Sequence, residues 1–114
     1  MMDDTYTDTL VVLTNLPDRE AAIQFARALV ERRLAACVNV LSGCTSVYRW
    51  KGAVEEAQEV PVLIKARGAR YDELETAIRQ LHPYELPEIV AVPVVRGFPD
   101  YLEWVAEETA IRID

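Results

Sequence analysis

A single histidine, His82, stands in the run Leu81-His82-Pro83-Tyr84-Glu85-Leu86-Pro87-Glu88. Any histidine-dependent proton transfer or histidine-ligated metal site in the chain must therefore use it. Glu85 and Glu88 are close enough in sequence to join it as oxygen ligands. A tight metal site takes three or four protein ligands, and one chain offers few obvious ones. A metal bound here is expected to be exposed, shared between copies, or weakly held. In the plainer alternative His82 ends a helix, where the last carbonyls favour a cation, and only complements that charge.

Other residues carry a chemical reading beside a structural one. Cys37, in Ala35-Ala36-Cys37-Val38-Asn39, is either a ligand or reactive thiol or a small hydrophobe on a strand, and Cys44 is read the same way. Tyr48, Trp50 and Tyr84 form either an aromatic ligand cleft or the packing of a subunit interface, where aromatics are enriched. Lys65 follows Val62, Leu63 and Ile64 and so needs an acidic partner or an anionic ligand. Glu59, six residues away on the same strand face, is the expected ion-pair partner. Glu55, Glu56 and Glu59 otherwise read as a charged strand edge that discourages aggregation. The chain has no glycine-rich phosphate loop, G-x-S-x-G elbow, H-E-x-x-H or C-x-x-C, and its four glycines and one histidine leave little for nucleophilic or acid-base work. A non-enzymatic role is expected.

The elements that position these residues centre on Leu34 to Arg67, which reads as one long hairpin turning at Lys51-Gly52. Seventeen extended residues from Leu34 to Trp50 reach roughly 55 Å, whereas a compact domain of this size has a radius of gyration of about 13 Å. Either the arm bends, with Gly43 as the obvious place, or its tip projects and another copy covers it. Val47, Tyr48, Trp50 and Val54 at the tip make exposure costly, at roughly 1.5–3 kcal/mol for each large apolar side chain. A homo-oligomer follows.

In chain order, Thr7 to Asn15 reads as a strand at the sheet's centre. Asp18 caps a helix from Arg19 to Leu34. After the hairpin, Tyr71, Leu74, Ile78 and Leu81 line a second helix that His82-Pro83 ends. Glu88 to Arg96 reads as a strand unpaired on one side near Pro93, and Pro61 is expected at an edge or a bulge. A short helix starts at Tyr101. The order β-α-β-β-α-β-α is an α+β, ferredoxin-like sandwich with a long hairpin and an extra C-terminal helix. Its second sheet face needs a cover, a further reason for self-association.

The 114 residues form one domain, 1–114, with residues 1–6 as a flexible tail, and a hydrophobic fraction of 51% suffices for a core. The net charge of -7 disfavours nucleic acid, which needs clustered Lys and Arg. No membrane partner is expected, because the apolar run Ile89 to Val95 is too short to span a bilayer. MMDDTYTD has no signal-peptide pattern, so the cytoplasm is expected. Cys37 and Cys44 are expected on opposite strand faces, about 23 Å apart if the arm is straight, and thus unbridged.

ERRLAACVNVLSGCTSVYRWKG (Glu31 to Gly52), EVPVLIKAR (Glu59 to Arg67), LHPYELPEIVAVPV (Leu81 to Val94) and YLEWV (Tyr101 to Val105) closely resemble the CutA divalent-cation-tolerance family, over nearly the whole of Leu10 to Glu108. The resemblance implies a ferredoxin-like protomer, related in architecture to PII-like proteins, in a homotrimer whose hairpins clasp neighbouring subunits. It implies a role in metal homeostasis, with Cu(II) or another divalent cation as the bound ion. By position it makes His82 and Glu88 the metal ligands and puts Cys37, Trp50, Glu59, Lys65 and Tyr84 in a cleft between subunits. Thr14 stands where some members have a thiol and Leu81 where a second histidine can occur, so two ligands are missing. The alternative is a PII-like sensor whose cleft takes a small anionic metabolite, with Lys65 as the cation.

Overall fold

The computed structural model describes residues 8–111, and the expected tail and Thr7 lie outside them. Among the described residues, three α-helices and five strands follow one another as β1 (Thr9–Leu16), α1 (Arg19–Glu31), β2 (Cys37–Val40), β3 (Cys44–Trp50), β4 (Ala53–Arg67), α2 (Tyr71–Leu81), β5 (Val90–Pro93) and α3 (Pro99–Glu108). The antiparallel sheet runs β2-β4-β1-β5, with β3 continuing alongside β4. This is the ferredoxin-like order with β1 at the centre, as the β-branched run Leu10 to Leu13 predicts.

One sheet face carries the core. Val12, Val62, Ile64 and Ala66 are fully buried there beneath Ala22, Leu29, Leu74 and Ile78 of α1 and α2. Asp18 caps α1 as expected, its carboxylate accepting the Ala21 N–H at 2.8 Å. The helix stops at Glu31, three residues before the expected Leu34, because Arg33 turns left-handed with φ 58°. Its N–H bonds the Val30 carbonyl and that of Leu34 bonds Leu29, a Schellman closure with arginine in the usual glycine position. Arg70 then donates to the Arg33 and Thr109 carbonyls, at 3.2 and 3.0 Å, tying the ends of α1 and α3 together.

The hairpin is interrupted at residues 41–43, which include Gly43, the expected place for a bend. Its turn is as expected: Trp50 pairs with Ala53, and both Lys51 (φ 49°) and Gly52 (φ 84°) take the positive φ of a type I′ turn. The first arm, however, breaks between β2 and β3. From the pair Val40–Val62 to the pair Cys44–Glu59 the first arm advances four residues and β4 only three. This is a bulge, and it resolves two expectations. Pro61 is on an interior strand and not at an edge; it pairs with Asn15, and its missing N–H falls opposite the bulge, where the ladder is already open. The extra residue also reverses side-chain parity, so Cys37, paired with Lys65, and Cys44, paired with Glu59, share a face instead of opposing each other. Both thiols are free.

β1 pairs only with Val60–Arg67, so Ala53–Glu59 has a partner on one side alone. The ribbon runs on past the end of β1, and Val47 and Val54 near its tip are each 65% exposed. The fourth strand expected from the sequence is shorter than Glu88 to Arg96. It is the edge strand that Pro93 requires. Among the described residues no helix is long and apolar enough to cross a membrane.

Thr14 lies on the core face, 1% exposed, and its hydroxyl has no hydrogen-bond partner. A buried unpaired hydroxyl costs roughly 1–3 kcal/mol of desolvation. Thr14→Val is therefore expected to stabilise the fold by about 1 kcal/mol, read as a higher urea midpoint at unchanged slope.

Candidate functional site

The strand β1 ends at Asn15-Leu16 beside the segment that follows α2, and Asn15 is the residue that organises this corner. Its side-chain amide donates to the Glu88 carboxylate at 2.9 Å. Its backbone carbonyl lies 2.7 Å from His82 Nε2. The two expected metal ligands thus meet at one asparagine that the sequence reading did not single out. Asn15 sits at the end of a hydrophobic run with no motif around it, and its partners are 67 and 73 residues away.

His82 is not the exposed cation of a helix end. It is 7% exposed, packed edge-on to Phe25 and 4.8 Å from the Tyr84 ring. The Tyr84 N–H donates to Nδ1 at 3.2 Å. A carbonyl can only accept and an amide N–H can only donate, so the imidazole is neutral with its proton on Nε2. Burial lowers its pKa, and the Asn15 carbonyl and the Glu59 charge oppose this only in part.

Beyond this corner, a cleft of about 1130 Å³ opens between the 83–88 segment and one face of the β3–β4 ribbon. Tyr48 and Trp50 of β3 and Glu55 and Glu59 of β4 share that face through the pairs Tyr48–Glu55, Trp50–Ala53 and Cys44–Glu59. Tyr84 and Glu88 come from the other wall. The Tyr84 pKa is raised by burial first, then by the neighbouring Glu59 carboxylate, with further contributions from Tyr48 and Asp18.

Within one chain the five residues expected in the cleft fall in two places. Trp50, Glu59 and Tyr84 line it, whereas Cys37 and Lys65 do not. Cys37 and Lys65 face each other across β2 and β4. There the Lys65 ammonium donates to the Asn39 side chain, and the pKa of Tyr101 on α3 is raised by burial first and then by Cys37. The expected Glu59–Lys65 ion pair does not form. Six residues of extended strand separate them by about 20 Å. The cleft is consequently acidic, with Glu55, Glu59, Glu85 and Glu88 against one basic lining residue, Arg49. An anion has little to attract it there. Among the described residues no three His, Cys, Asp or Glu side chains converge as a ready metal site.

Residues 10–108 match the family described as CutA1 divalent ion tolerance protein. The chain is 48% identical over 99 residues to the divalent-cation tolerance protein CutA of Thermus thermophilus, covering 87% of this chain and 96% of that protein. Its fold superposes on the solved divalent cation tolerance protein (Cut A1) from Thermus thermophilus with a TM-score of 0.87 at 47% identity, over 90% of this chain and 99% of that one. Relatives differ in compartment by name. A chloroplastic CutA of Arabidopsis thaliana is 38% identical over 89% of this chain and 56% of its own length. A periplasmic divalent cation tolerance protein CutA from Archaeoglobus fulgidus is 31% identical, with a TM-score of 0.86, over 90% of this chain and 99% of that one.

The lowered pKa of His82 sets a pH dependence. Below the ordinary value of 6.5 the unfolded chain takes up a proton that the folded imidazole resists. Stability is therefore lost as pH falls from 6.5 through the depressed folded value. The thermal midpoint is expected to drop across that window, and the profile of His82→Gln to be flatter; parallel profiles would show that His82 is not held neutral.

Proposed function

Because this chain belongs to the CutA1 divalent ion tolerance family, which is non-enzymatic, we propose that it is a single-domain homotrimer that binds Cu(II) or another divalent cation in the cytoplasm and serves metal homeostasis. The observation that carries the reading is the convergence of His82 and Glu88 on Asn15. Glu88 presents a carboxylate at the cleft and is held there by the amide. His82 is buried against the carbonyl of the same asparagine, and its Nδ1 lone pair is engaged only by one 3.2 Å backbone bond. Releasing that bond frees a borderline nitrogen ligand beside a hard oxygen, a pair that suits Cu(II). Two ligands from one chain give a weak, exchangeable site, as tolerance or sensing requires. Water or a neighbouring copy completes the coordination.

Self-association is supported by apolar surface in two places. The ribbon tip exposes Val47 and Val54, and the sheet face away from α1 and α2 exposes Val90 and Val92, which pair with Leu13 and Val11 on the same face. A trimer in which each ribbon lies against a neighbour's open face covers both. It also places Cys37 and Lys65, on that face, within reach of a neighbour's cleft.

Two measurements test this. Calorimetric titration with Cu(II) is expected to show affinity reduced by at least about tenfold in both His82→Ala and Glu88→Gln, since loss of a ligand or of its support commonly costs 10–100-fold; wild-type affinity in both would remove the site. Sedimentation at low micromolar concentration is expected to give three times the chain mass. Val47→Asp combined with Val54→Asp is expected to shift it toward the single chain.

A further inference from the structure

We propose, on the reading that copies associate through the open sheet face, that Lys65 of one copy pairs with Glu59 in the cleft of a neighbouring copy, and that this ion pair sets the register in which copies pack. On the face turned away from α1 and α2, cross-strand pairing lines up Cys37, Lys65, Val11 and Val92 in one row. Asn39, Leu63, Leu13 and Val90 form the next row. Lys65 alone carries a charge in this patch, and it is half-buried by its own strand neighbours. Its ammonium donates to the neutral Asn39 side chain, and none of the ion pairs among the described residues includes it. Lysine is seldom covered without an acidic partner, because an ammonium stripped of water and left unpaired carries a large desolvation cost. Whatever covers this patch must bring a carboxylate.

The same chain holds carboxylates in surplus on another surface. Glu55, Glu59, Glu85 and Glu88 line the cleft against the single basic lining residue Arg49. Glu88 is engaged by Asn15, and Glu55 is exposed near the ribbon tip. Glu59 is half-buried where β4 runs past β1, and it has no ion pair among the described residues. Glu59 and Lys65 cannot meet within one chain, since six extended residues hold them about 20 Å apart. A ribbon laid on a neighbour's open face removes that separation. The carboxylate then comes from one copy and the ammonium from the next, and a closed head-to-tail ring uses each copy's Lys65 and each copy's Glu59 once. Apolar contact alone tolerates sliding, because it is non-directional. A covered ion pair does not, because a shifted register leaves both charges unpaired. Pairing Glu59 in this way leaves Glu88 to a divalent cation.

Sedimentation of the full chain over a range of concentrations tests this. Lys65→Glu and Glu59→Lys are each expected to raise the dissociation concentration at least about tenfold, as for a close interfacial charge pair that loses one partner. The swap of both in one chain, Lys65→Glu with Glu59→Lys, restores opposite charges at every contact and the original net charge, and is expected to recover most of the loss. Glu31→Lys at the end of α1, on neither surface, is expected to change nothing, although it alters the net charge as much as Glu59→Lys does. If a reversed variant does not fold, Lys65→Met and Glu59→Gln make the same comparison with neutral side chains: the combined variant is expected to lose less than the product of the two single losses. Wild-type assembly in both reversals, a swap no better than the worse single variant, or losses that simply multiply in the neutral pair overturns the ion pair and leaves self-association standing. A wild type that sediments as a single chain overturns both.

Discussion

The structure depends on a mismatch of lengths. β4 has fifteen residues and its central partner β1 has eight, so half of β4 has nothing on one side. Strands persist only where backbone groups are paired or solvated, and the unpaired half survives because β3 holds its other edge. The outcome is a two-stranded ribbon that leaves the body of the protein with its apolar tip exposed. An isolated ribbon of this kind is marginal in water. Both the cleft beneath it and the pressure to self-associate follow from that one disparity.

The bulge at Leu41–Gly43 reconciles the ribbon with the sheet. A two-residue turn at Lys51-Gly52 fixes the pairing of β3 with β4, and the core fixes that of β2 with β4. The two registers differ by one residue, and an unbroken arm would have turned one set of side chains to the wrong face. Placing the slip opposite Pro61 confines it to the position where β4 already lacks a donor. With register restored, Tyr48 and Trp50 come to the face of Glu55 and Glu59, and the cleft gains its aromatic wall. Proline here marks where a defect is tolerated.

Much of the fold was legible because it depends on local chemistry. The Asp18 cap, the x-Gly turn, the amphipathic stripe of α2 and the His82-Pro83 stop are set by residues within a few positions of one another, and the structure keeps each. The ferredoxin-like order followed from them. What local reading missed depends on distant pairing. Cysteine parity failed because a bulge cannot be counted from spacing alone. The Glu59–Lys65 pair failed because sharing a face is a weaker condition than sharing a neighbourhood. The end of α1 was misplaced because Arg33 adopts a conformation that sequence preference assigns to glycine, with its carbonyl held by Arg70 from the turn that follows β4.

The candidate site shows the same division. Its residue types were readable, since the lone histidine, the aromatics and the glutamates stand out in so short a chain. Its state was not. An imidazole at a helix terminus is ordinarily drawn toward the charged form, yet here burial against Phe25 overrides the helix, and the opposed demands of a carbonyl and an amide fix a single neutral tautomer. Neutral imidazole is the form that a metal requires. A protonated His82 at this corner would oppose any cation approaching Glu88, so the burial that hides the histidine from solvent also preserves the negative potential its neighbours create. Asn15 makes this possible by serving both partners at once, its carbonyl holding the imidazole and its amide the carboxylate, and the residue with no ionisable group is the one that sets the charge state of the corner.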